Sequence, residues 1–248
     1  MIVTYHELVE GAAASPYVYA VTAGRMREHM RALRRRAAAG LGDTPVTFDD
    51  GLRCHYTIGA RVLDGEGARG IFFITPKWTG APGYMDWPAI RDLHASGHEI
   101  QSHGWSHALL PRCAADDLRI ELVRSKEVLE DRIGSPVDAI AIPGGAYTGA
   151  VLAACAEAGY QRVYISNPWL RPSWTRNVLV IGRLMIRNST TTERLEALLA
   201  TEKRALSLPR VAYQARRVAR ATLGLTLYHG LWSLLASASR RPVDGNRQ

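Results

Sequence analysis

The sequence predicts an α/β protein built on a parallel sheet that is closed, or nearly closed, into a barrel. From the N-terminus to about residue 187, short runs rich in β-branched and aromatic residues alternate with stretches of helical spacing. Strands that are separated by helices of this length form repeated βα units. Six or seven such units favour a barrel, and a doubly wound open sheet is the competing arrangement.

Seven runs are predicted strands: Ile2–Tyr5, Pro45–Phe48, Gly70–Ile74, Glu99–Ser102, Val137–Ile142, Arg162–Ile165 and Val178–Met185. Helical stretches are expected near 22–39, 53–67, 88–96, 114–133, 148–158 and 191–201. Asp86 is placed to cap the helix that opens at Trp87 and Pro88, because a proline in the first turn loses no needed hydrogen bond. Gly97 stands where a helix C-cap glycine is expected.

The composition is that of a soluble globular protein, with 47% hydrophobic and 22% charged residues. Cys54, Cys113 and Cys155 form no CxxC pair, so neither a disulfide framework nor a thiolate zinc site is indicated. The N-terminus shows no charged leader before an apolar run. No stretch approaches the roughly 20 apolar residues that span a bilayer. We therefore expect a cytoplasmic protein.

Positive charge is concentrated in residues 201–248, which carry +7 of the net charge of +8. Apolar residues recur there at helical spacing, so a basic helical extension is predicted after a first domain of residues 1–200. A basic amphipathic helix suits an anionic membrane surface, and a helix packed on the barrel is the alternative. Nucleic acid is not favoured as a partner, because no binding motif accompanies the charge.

Two adjacent carboxylates, Asp49 and Asp50, follow the predicted strand Pro45–Phe48. The ends of parallel strands gather at the face where ligand-binding loops lie. Two carboxylates at the end of an apolar strand are costly unless a cation or hydrogen-bond donors compensate them. Neighbouring strand residues point in opposite directions, so the two aspartates need not share one role. A turn with an aspartate helix cap before Gly51 is the alternative.

Two histidines, His103 and His107, follow the strand Glu99–Ser102. Residues four apart fall on one face of a helical turn, close enough to bind a single ion. This is not the HExxH of zinc proteases, because Gly104 follows His103 and the pair follows a strand. Two unrelated surface or packing histidines are the alternative, which the upstream carboxylates make less attractive.

A third cluster, Pro143-Gly144-Gly145, ends the strand Val137–Ile142. Glycines let bare backbone approach a ligand, and the Gly144 amide could face a developing oxyanion. A simple turn is the alternative.

Together these clusters resemble the polysaccharide deacetylase family, the NodB-homology carbohydrate esterases. The resemblance covers about residues 1–190 and is carried by TFDDG (47–51), SHGWSH (102–107) and PGGAY (143–147). It implies a distorted (β/α)7-type barrel that removes acetyl groups from sugars. It also implies that Asp50, His103 and His107 hold one divalent metal ion, with Asp49 as the general base. Zinc is the first choice, and nickel, cobalt and manganese are alternatives.

This chain departs from the family pattern at two places. The usual arginine of the third motif is Ala141 here, and the last strand lacks the family's histidine. A subgroup resembling the poly-N-acetylglucosamine deacetylases places a histidine in the first strand, as Tyr-His. Tyr5-His6 matches it, so we predict that His6 is the general acid, with a histidine that merely ends an edge strand as the alternative.

Further residues are predicted around the substrate. Arg183 is expected to orient Asp49, and Pro143, Asn167 and Trp169 to line the pocket, with a surface salt bridge and core packing as the alternatives. The leading prediction is an N-deacetylase that acts on an N-acetylhexosamine in a glycan or a lipid-linked saccharide, with the tail at the inner face of the membrane. A ring-opening amidase of the same superfamily and a catalytically silent carbohydrate-binding domain are the alternatives.

Overall fold

The computed structural model describes residues 1–11, 15 and 17–200. Its strands are β1 (Ile2–Tyr5), β2 (Leu8–Val9), β3 (Val21–Thr22), β4 (Val46–Phe48), β5 (Gly70–Ile74), β6 (Glu99–Ser102), β7 (Ala139–Ala141), β8 (Arg162–Ile165), β9 (Ser173–Thr175) and β10 (Val178–Met185). Its α-helices are α1 (Ala23–Ala38), α2 (Arg61–Gly65), α3 (Trp87–Ala95), α4 (Ala115–Arg119), α5 (Ser125–Ile133), α6 (Gly149–Glu157) and α7 (Thr192–Ala200). The predicted basic helix and its membrane contact lie outside the described residues.

Seven parallel strands form a closed barrel in the order β1-β4-β5-β6-β7-β8-β10. The ring closes because β1 also pairs in parallel with β10, with Ile2 opposite Arg183. This closure confirms the predicted (β/α)7-type barrel, and the open doubly wound sheet is wrong. The carboxyl ends of all seven strands therefore meet at one rim.

Side-chain alternation separates the inside of the barrel from its helical coat. The interior cluster consists of two alanines, two aromatic residues and one isoleucine: Phe73, Ala139, Ala141, Tyr164 and Ile181. Neighbouring strand residues point outward, so Phe48 and Phe72 stack under the helices with ring centroids 4.5 Å apart. A continuous outer core results, and the fold buries its strands on both faces as parallel sheets require.

The helices follow the predicted positions, but two of them are interrupted. Asp86 caps α3 by accepting a hydrogen bond from the Ala89 amide at 3.0 Å, as predicted. The predicted helices 53–67 and 114–133 each contain a π-helical turn, at His55–Ala60 and Ile120–Arg124. Such turns insert an extra residue into an α-helix and often lie near functional sites.

The last repeat has a hairpin where the other repeats have a helix. Strand β9 runs antiparallel to β10, with Trp174 opposite Leu179. The connecting residues Arg176 and Asn177 both have positive φ, 53° and 64°, which matches the right-handed twist of the two strands.

Among the helices of residues 1–11, 15 and 17–200, none combines the length and the apolar character that a membrane span requires.

Candidate active site

The predicted polar residues meet at the carboxyl rim of the barrel. Thr47 and Asp49 lie two residues apart on β4 and its continuation, so both point into the barrel. Asp50 and Gly51 then have φ of 80° and 81°, which turns the chain sharply out of the strand direction. Aspartate tolerates this left-handed conformation better than most residues. The turn lets both carboxylates face the rim from adjacent positions.

Asp50, His103 and His107 converge on one point. Each offers a ligand atom, and these three atoms all lie within 4.8 Å of one another. Both histidine Nε2 atoms are 3.4 Å from the same Asp50 oxygen. One carboxylate and two imidazoles are a common donor set for a catalytic zinc ion, which keeps a further position open. The geometry of the described residues therefore fits a divalent cation.

The histidine pair lies on a loop, so the prediction of a helical turn is wrong. Gly104 and His107 both adopt left-handed backbone conformations, with φ of 75° and 63°. These two positions fold residues 103–107 back on themselves and bring the imidazole rings to a centroid distance of 5.0 Å. The two histidines therefore come together as predicted, but through a loop in an uncommon backbone conformation and not through a helical turn.

Hydrogen bonding fixes the orientation of the His103 ring. Its Nδ1 is 2.8 Å from the Ala141 carbonyl oxygen, which only accepts, so Nδ1 carries the proton. When the ring is neutral, the lone pair is on Nε2, which faces Asp50. A metal-ligating histidine is typically oriented in this way by a carbonyl or carboxylate behind it. Ala141 thus contributes its backbone, although the arginine usual in the family is missing.

Asp49 is almost fully buried, with 3% exposure, and is bound by Arg183. The two guanidinium nitrogens donate to the two carboxylate oxygens at 2.6 and 2.8 Å. Burial by itself raises the pKa of Asp49, but the charge and hydrogen bonds of Arg183 hold that pKa below its ordinary value. Asp49 is therefore an ionised carboxylate at neutral pH, the form that a proton acceptor needs.

His6 faces Asp49 across the rim. Its Nε2 lies 4.0 Å from an Asp49 oxygen, and its ring is largely buried against Tyr19, at a centroid distance of 5.4 Å. Burial lowers the pKa of His6, and the charges of Asp49 and Asp50 oppose that shift. Buried His55 donates to the His6 carbonyl and so anchors the backbone at this point. The structure places His6 beside the carboxylate, not at an isolated strand edge.

The weaker predictions concern Pro143, Gly144, Asn167 and Trp169. Gly144 is exposed, with φ of 67°, and follows buried Pro143. Trp169 is half-buried, and its amide donates to the side chain of buried Asn167 at 3.2 Å. Among residues 1–11, 15 and 17–200, none of these four contacts Asp49, Asp50 or the two histidines through a hydrogen bond or ring. Their assignment to a substrate pocket stays a prediction.

Aromatic residues around the rim were not singled out from the sequence. Trp78 stacks on His107 with ring centroids 5.0 Å apart, and Tyr84 packs on Trp78 at the same distance. On the other side of β4, Tyr17 packs on Tyr19 at 5.5 Å. Burial, together with the charge of Asp50, raises the pKa of Tyr17 to about 12. The signal in the sequence is that each aromatic pair lies between a barrel strand and the next α-helix, one pair between β1 and α1 and the other between β5 and α3.

Comparisons with known proteins agree with this geometry. Residues 43–163 match the family model described as polysaccharide deacetylase. YxkH of Bacillus subtilis, named as a putative polysaccharide deacetylase, is 25% identical over 123 residues, covering 50% of this chain and 44% of that protein. The chain thus spans less than half the length of this curated relative.

Solved structures share the fold at low sequence identity. BC0361, a polysaccharide deacetylase from Bacillus cereus, has a TM-score of 0.70 at 23% identity, covering 80% of this chain and 68% of that chain. The deacetylase PplD of Streptococcus pyogenes, in complex with acetate, gives 0.68 at 18%, covering 80% and 96%. A de-N-acetylase from Aggregatibacter actinomycetemcomitans gives 0.68 at 17%, covering 79% and 98%. Residues 43–163, which match the polysaccharide deacetylase family, thus lie within a closed seven-stranded barrel like those of the deacetylase structures.

Proposed function

We propose that this protein is a metal-dependent N-deacetylase that hydrolyses the acetamido group of an N-acetylhexosamine in a glycan or a lipid-linked saccharide. The observation that carries the proposal is the convergence of Asp50, His103 and His107 within 4.8 Å, next to the ionised and buried Asp49. A metal site beside an ionised carboxylate that is not itself a ligand supplies the two groups that amide hydrolysis by water uses.

Asp50, His103 and His107 are the residues that would hold the cation, with zinc as the first choice and nickel, cobalt or manganese as alternatives. When bound, a divalent cation polarises the acetyl carbonyl and lowers the pKa of a water molecule towards about 7. The carbonyl of Ala141 keeps the Nε2 atom of His103 free for this role.

Asp49 and His6 carry out the two proton transfers of the reaction, one as acceptor and the other as donor. Asp49 accepts the proton that the attacking water loses, and Arg183 fixes the position of its carboxylate. His6, whose Nε2 is 4.0 Å from that carboxylate, donates a proton to the departing nitrogen. The carbon–nitrogen bond then breaks, and acetate and a free amine are released. An amine is a poor leaving group unless it is protonated, so a general acid is required, and we assign that role to His6.

The aromatic rim supports a saccharide as the substrate. Trp78 stacks on His107, and Tyr84 packs on Trp78. Tyr19 packs on His6, and Tyr17 packs on Tyr19. Amphipathic aromatic rings suit the faces of a sugar, which are apolar in part. One structural neighbour is named as a de-N-acetylase, which agrees with an amide as the group that is cleaved. The lipid link, a cytoplasmic location and contact with the inner membrane face remain part of the proposal.

The test is acetate release from N-acetylglucosamine oligomers, measured with and without a metal chelator. We expect activity that the chelator removes and that added zinc restores. Asp49→Asn should lose activity by about 10² to 10⁴, the range for a general base. Asp43→Asn, which changes an exposed aspartate near the same strand, serves as the matched control. Undiminished activity in Asp49→Asn would refute the assigned mechanism.

A further inference from the structure

We infer that Glu121 is a positioning residue that holds the loop of residues 103–107 in its metal-binding conformation and thereby sets the affinity for the cation. The inference rests on the proposed metal site. Glu121 is a buried carboxylate with 5% exposure, and it lies in the π-helical turn Ile120–Arg124, behind the loop and away from the point where the three ligands converge.

The Glu121 carboxylate binds the residue that precedes His107. One oxygen accepts a hydrogen bond from the Ser106 amide at 2.9 Å, and the other accepts from the Ser106 hydroxyl. The Glu121 carbonyl oxygen accepts from the Trp105 amide at 3.0 Å. Both residues between Gly104 and His107 are therefore bound to a single helical residue. A buried carboxylate with these donors is well compensated, and removing it leaves the Ser106 amide without its acceptor.

The same helical segment also holds the other half of the loop. The hydroxyl of Ser125 is 2.8 Å from that of Ser102, and the Ser102 hydroxyl accepts from the Gly104 amide at 3.1 Å. The guanidinium of Arg124 lies over the Trp105 ring, 4.0 Å from its centroid. Of Glu121, Arg124 and Ser125, Glu121 makes the contacts nearest to His107, because it binds Ser106.

The loop needs such support because its backbone is uncommon. Gly104 and His107 have φ of 75° and 63°, and histidine rarely adopts this left-handed region unless its surroundings impose it. Without the carboxylate, residues 105–107 are free to relax to ordinary conformations. His107 would then move away from Asp50, while His103, which is bound to the Ala141 carbonyl, would stay in place.

Glu121 lies in a π-helical turn, next to Leu122. Both side chains are buried, Leu122 in the core and Glu121 against the loop of residues 103–107.

The test measures zinc affinity of the full chain by competition with a chromogenic chelator, and the absorption spectrum of the cobalt-loaded protein. We expect Glu121→Ala to raise the zinc Kd by about 10- to 100-fold, the range for losing a group that orients ligands, and to change the cobalt spectrum. Glu121→Gln should recover most of the affinity, because its amide oxygen accepts from the Ser106 amide and its NH2 group can donate to the hydroxyl.

Glu130→Ala is the matched control. Glu130 also accepts a hydrogen bond from a loop amide, that of Val137 at 2.9 Å, but at the amino end of β7, away from the rim. Its loss should lower stability without changing the zinc Kd. An unchanged Kd in folded Glu121→Ala, or an equal rise in Glu130→Ala, would overturn the inference.

If Glu121→Ala does not fold, Ser106→Ala decides the question, because it removes only the hydroxyl contact. A several-fold rise in the zinc Kd is then expected, and no rise would overturn the inference. A wild-type chain that binds no zinc, cobalt, nickel or manganese would instead refute the proposed metal site itself. That result separates a failure of the proposed function from a failure of the role of Glu121.

Discussion

The guanidinium of Arg183 donates hydrogen bonds to both carboxylate oxygens of Asp49, with nitrogen–oxygen distances of 2.6 and 2.8 Å. The arginine is completely buried, and it rests between the rings of Phe73 and Tyr164, 5.1 and 5.8 Å from their centroids. One guanidinium nitrogen also donates to the Thr47 hydroxyl at 3.2 Å. The two residues are 134 positions apart, and barrel closure brings them together. The contact fixes the orientation of the carboxylate and keeps it ionised.

Arg183→Lys keeps the positive charge but loses the planar guanidinium group. It therefore tests the orientation of the Asp49 carboxylate separately from the charge beside it. A displacement of about 1 Å can cost on the order of 10² in rate, and we expect kcat to fall by that amount. The zinc Kd should stay unchanged, because Asp49 is not a proposed ligand. Steady-state acetate release and chelator competition measure the two quantities.

Arg162→Lys is the control for that substitution. Arg162 is a partly buried arginine that pairs with Asp138 at 2.6 Å and with Glu99, at the opposite end of the barrel. The Arg162→Lys substitution should lower the free energy of unfolding and leave kcat unchanged. Equal losses of kcat in the two variants would show that Arg183 supports the fold without any specific effect on Asp49.

Much of the site could be predicted from strand order. Parallel strands end at one rim, so Asp49, Asp50 and His103, which lie within two residues of the end of a predicted strand, are expected near one another. His6 follows the same rule, since it comes directly after β1, which pairs with β4. These predictions need only the strand boundaries and the direction of the strands.

The other features of the site depend on loop conformation and on strand register, which the local sequence pattern does not encode. The histidine spacing suggested a helical turn, whereas positive φ at Gly104 and His107 creates a loop. Glu121 lies in a π-helical turn, where a 3.6-residue period does not assign the helix face. The sequence predicts that Arg183 orients Asp49, but the geometry of the contact follows from the β1–β10 register.

His6 can be tested as a proton donor by changing the leaving group. His6→Asn should lower amide hydrolysis by about 10² to 10⁴, because the amine must leave protonated. With p-nitrophenyl acetate the leaving phenolate needs no proton, so the same variant should lose far less activity. Initial rates on both substrates give the comparison. His94→Asn, which changes a histidine bound to Ser135 outside the rim, is the control. An equal loss on both substrates would contradict the role of His6 as the acid.

Gly182 is expected to tolerate no side chain. A Cβ atom at this position would lie 1.9 Å from the Asn167 carbonyl oxygen and 3.0 Å from that of Leu170, and both are backbone atoms. Gly182→Ala should therefore lower the free energy of unfolding by about 3 kcal/mol, the upper end of overpacking costs. It should also lower kcat, because Arg183 is the next residue. Gly149→Ala, in open space at the start of α6, should be neutral or stabilising. Denaturant titrations of both variants measure the difference, and equal stabilities would contradict the close packing.

Buried neutral histidines predict how stability depends on pH. Burial lowers the pKa of His29 to about 4, although its hydrogen bond to the Thr190 carbonyl opposes that shift, and burial likewise lowers the pKa of His55 to about 4. In the unfolded chain both titrate near about 6.5. Between these values the unfolded state binds more protons, so the free energy of unfolding should fall as the pH drops from 6.5 to 4. Each histidine contributes up to about 1.4 kcal/mol per pH unit.

His29→Gln isolates one of these contributions. His29 accepts from the Tyr5 hydroxyl at 2.8 Å and donates to the Thr190 carbonyl at 3.1 Å, and glutamine offers one acceptor and one donor without titrating. The variant should be less stable than the wild type at pH 7.5, and the difference should shrink as the pH falls to 5. Urea titrations at pH 7.5, 6 and 5 measure it. A constant difference across this range would mean that His29 takes up no proton on unfolding, because only a pKa that differs between the folded and unfolded states changes stability with pH.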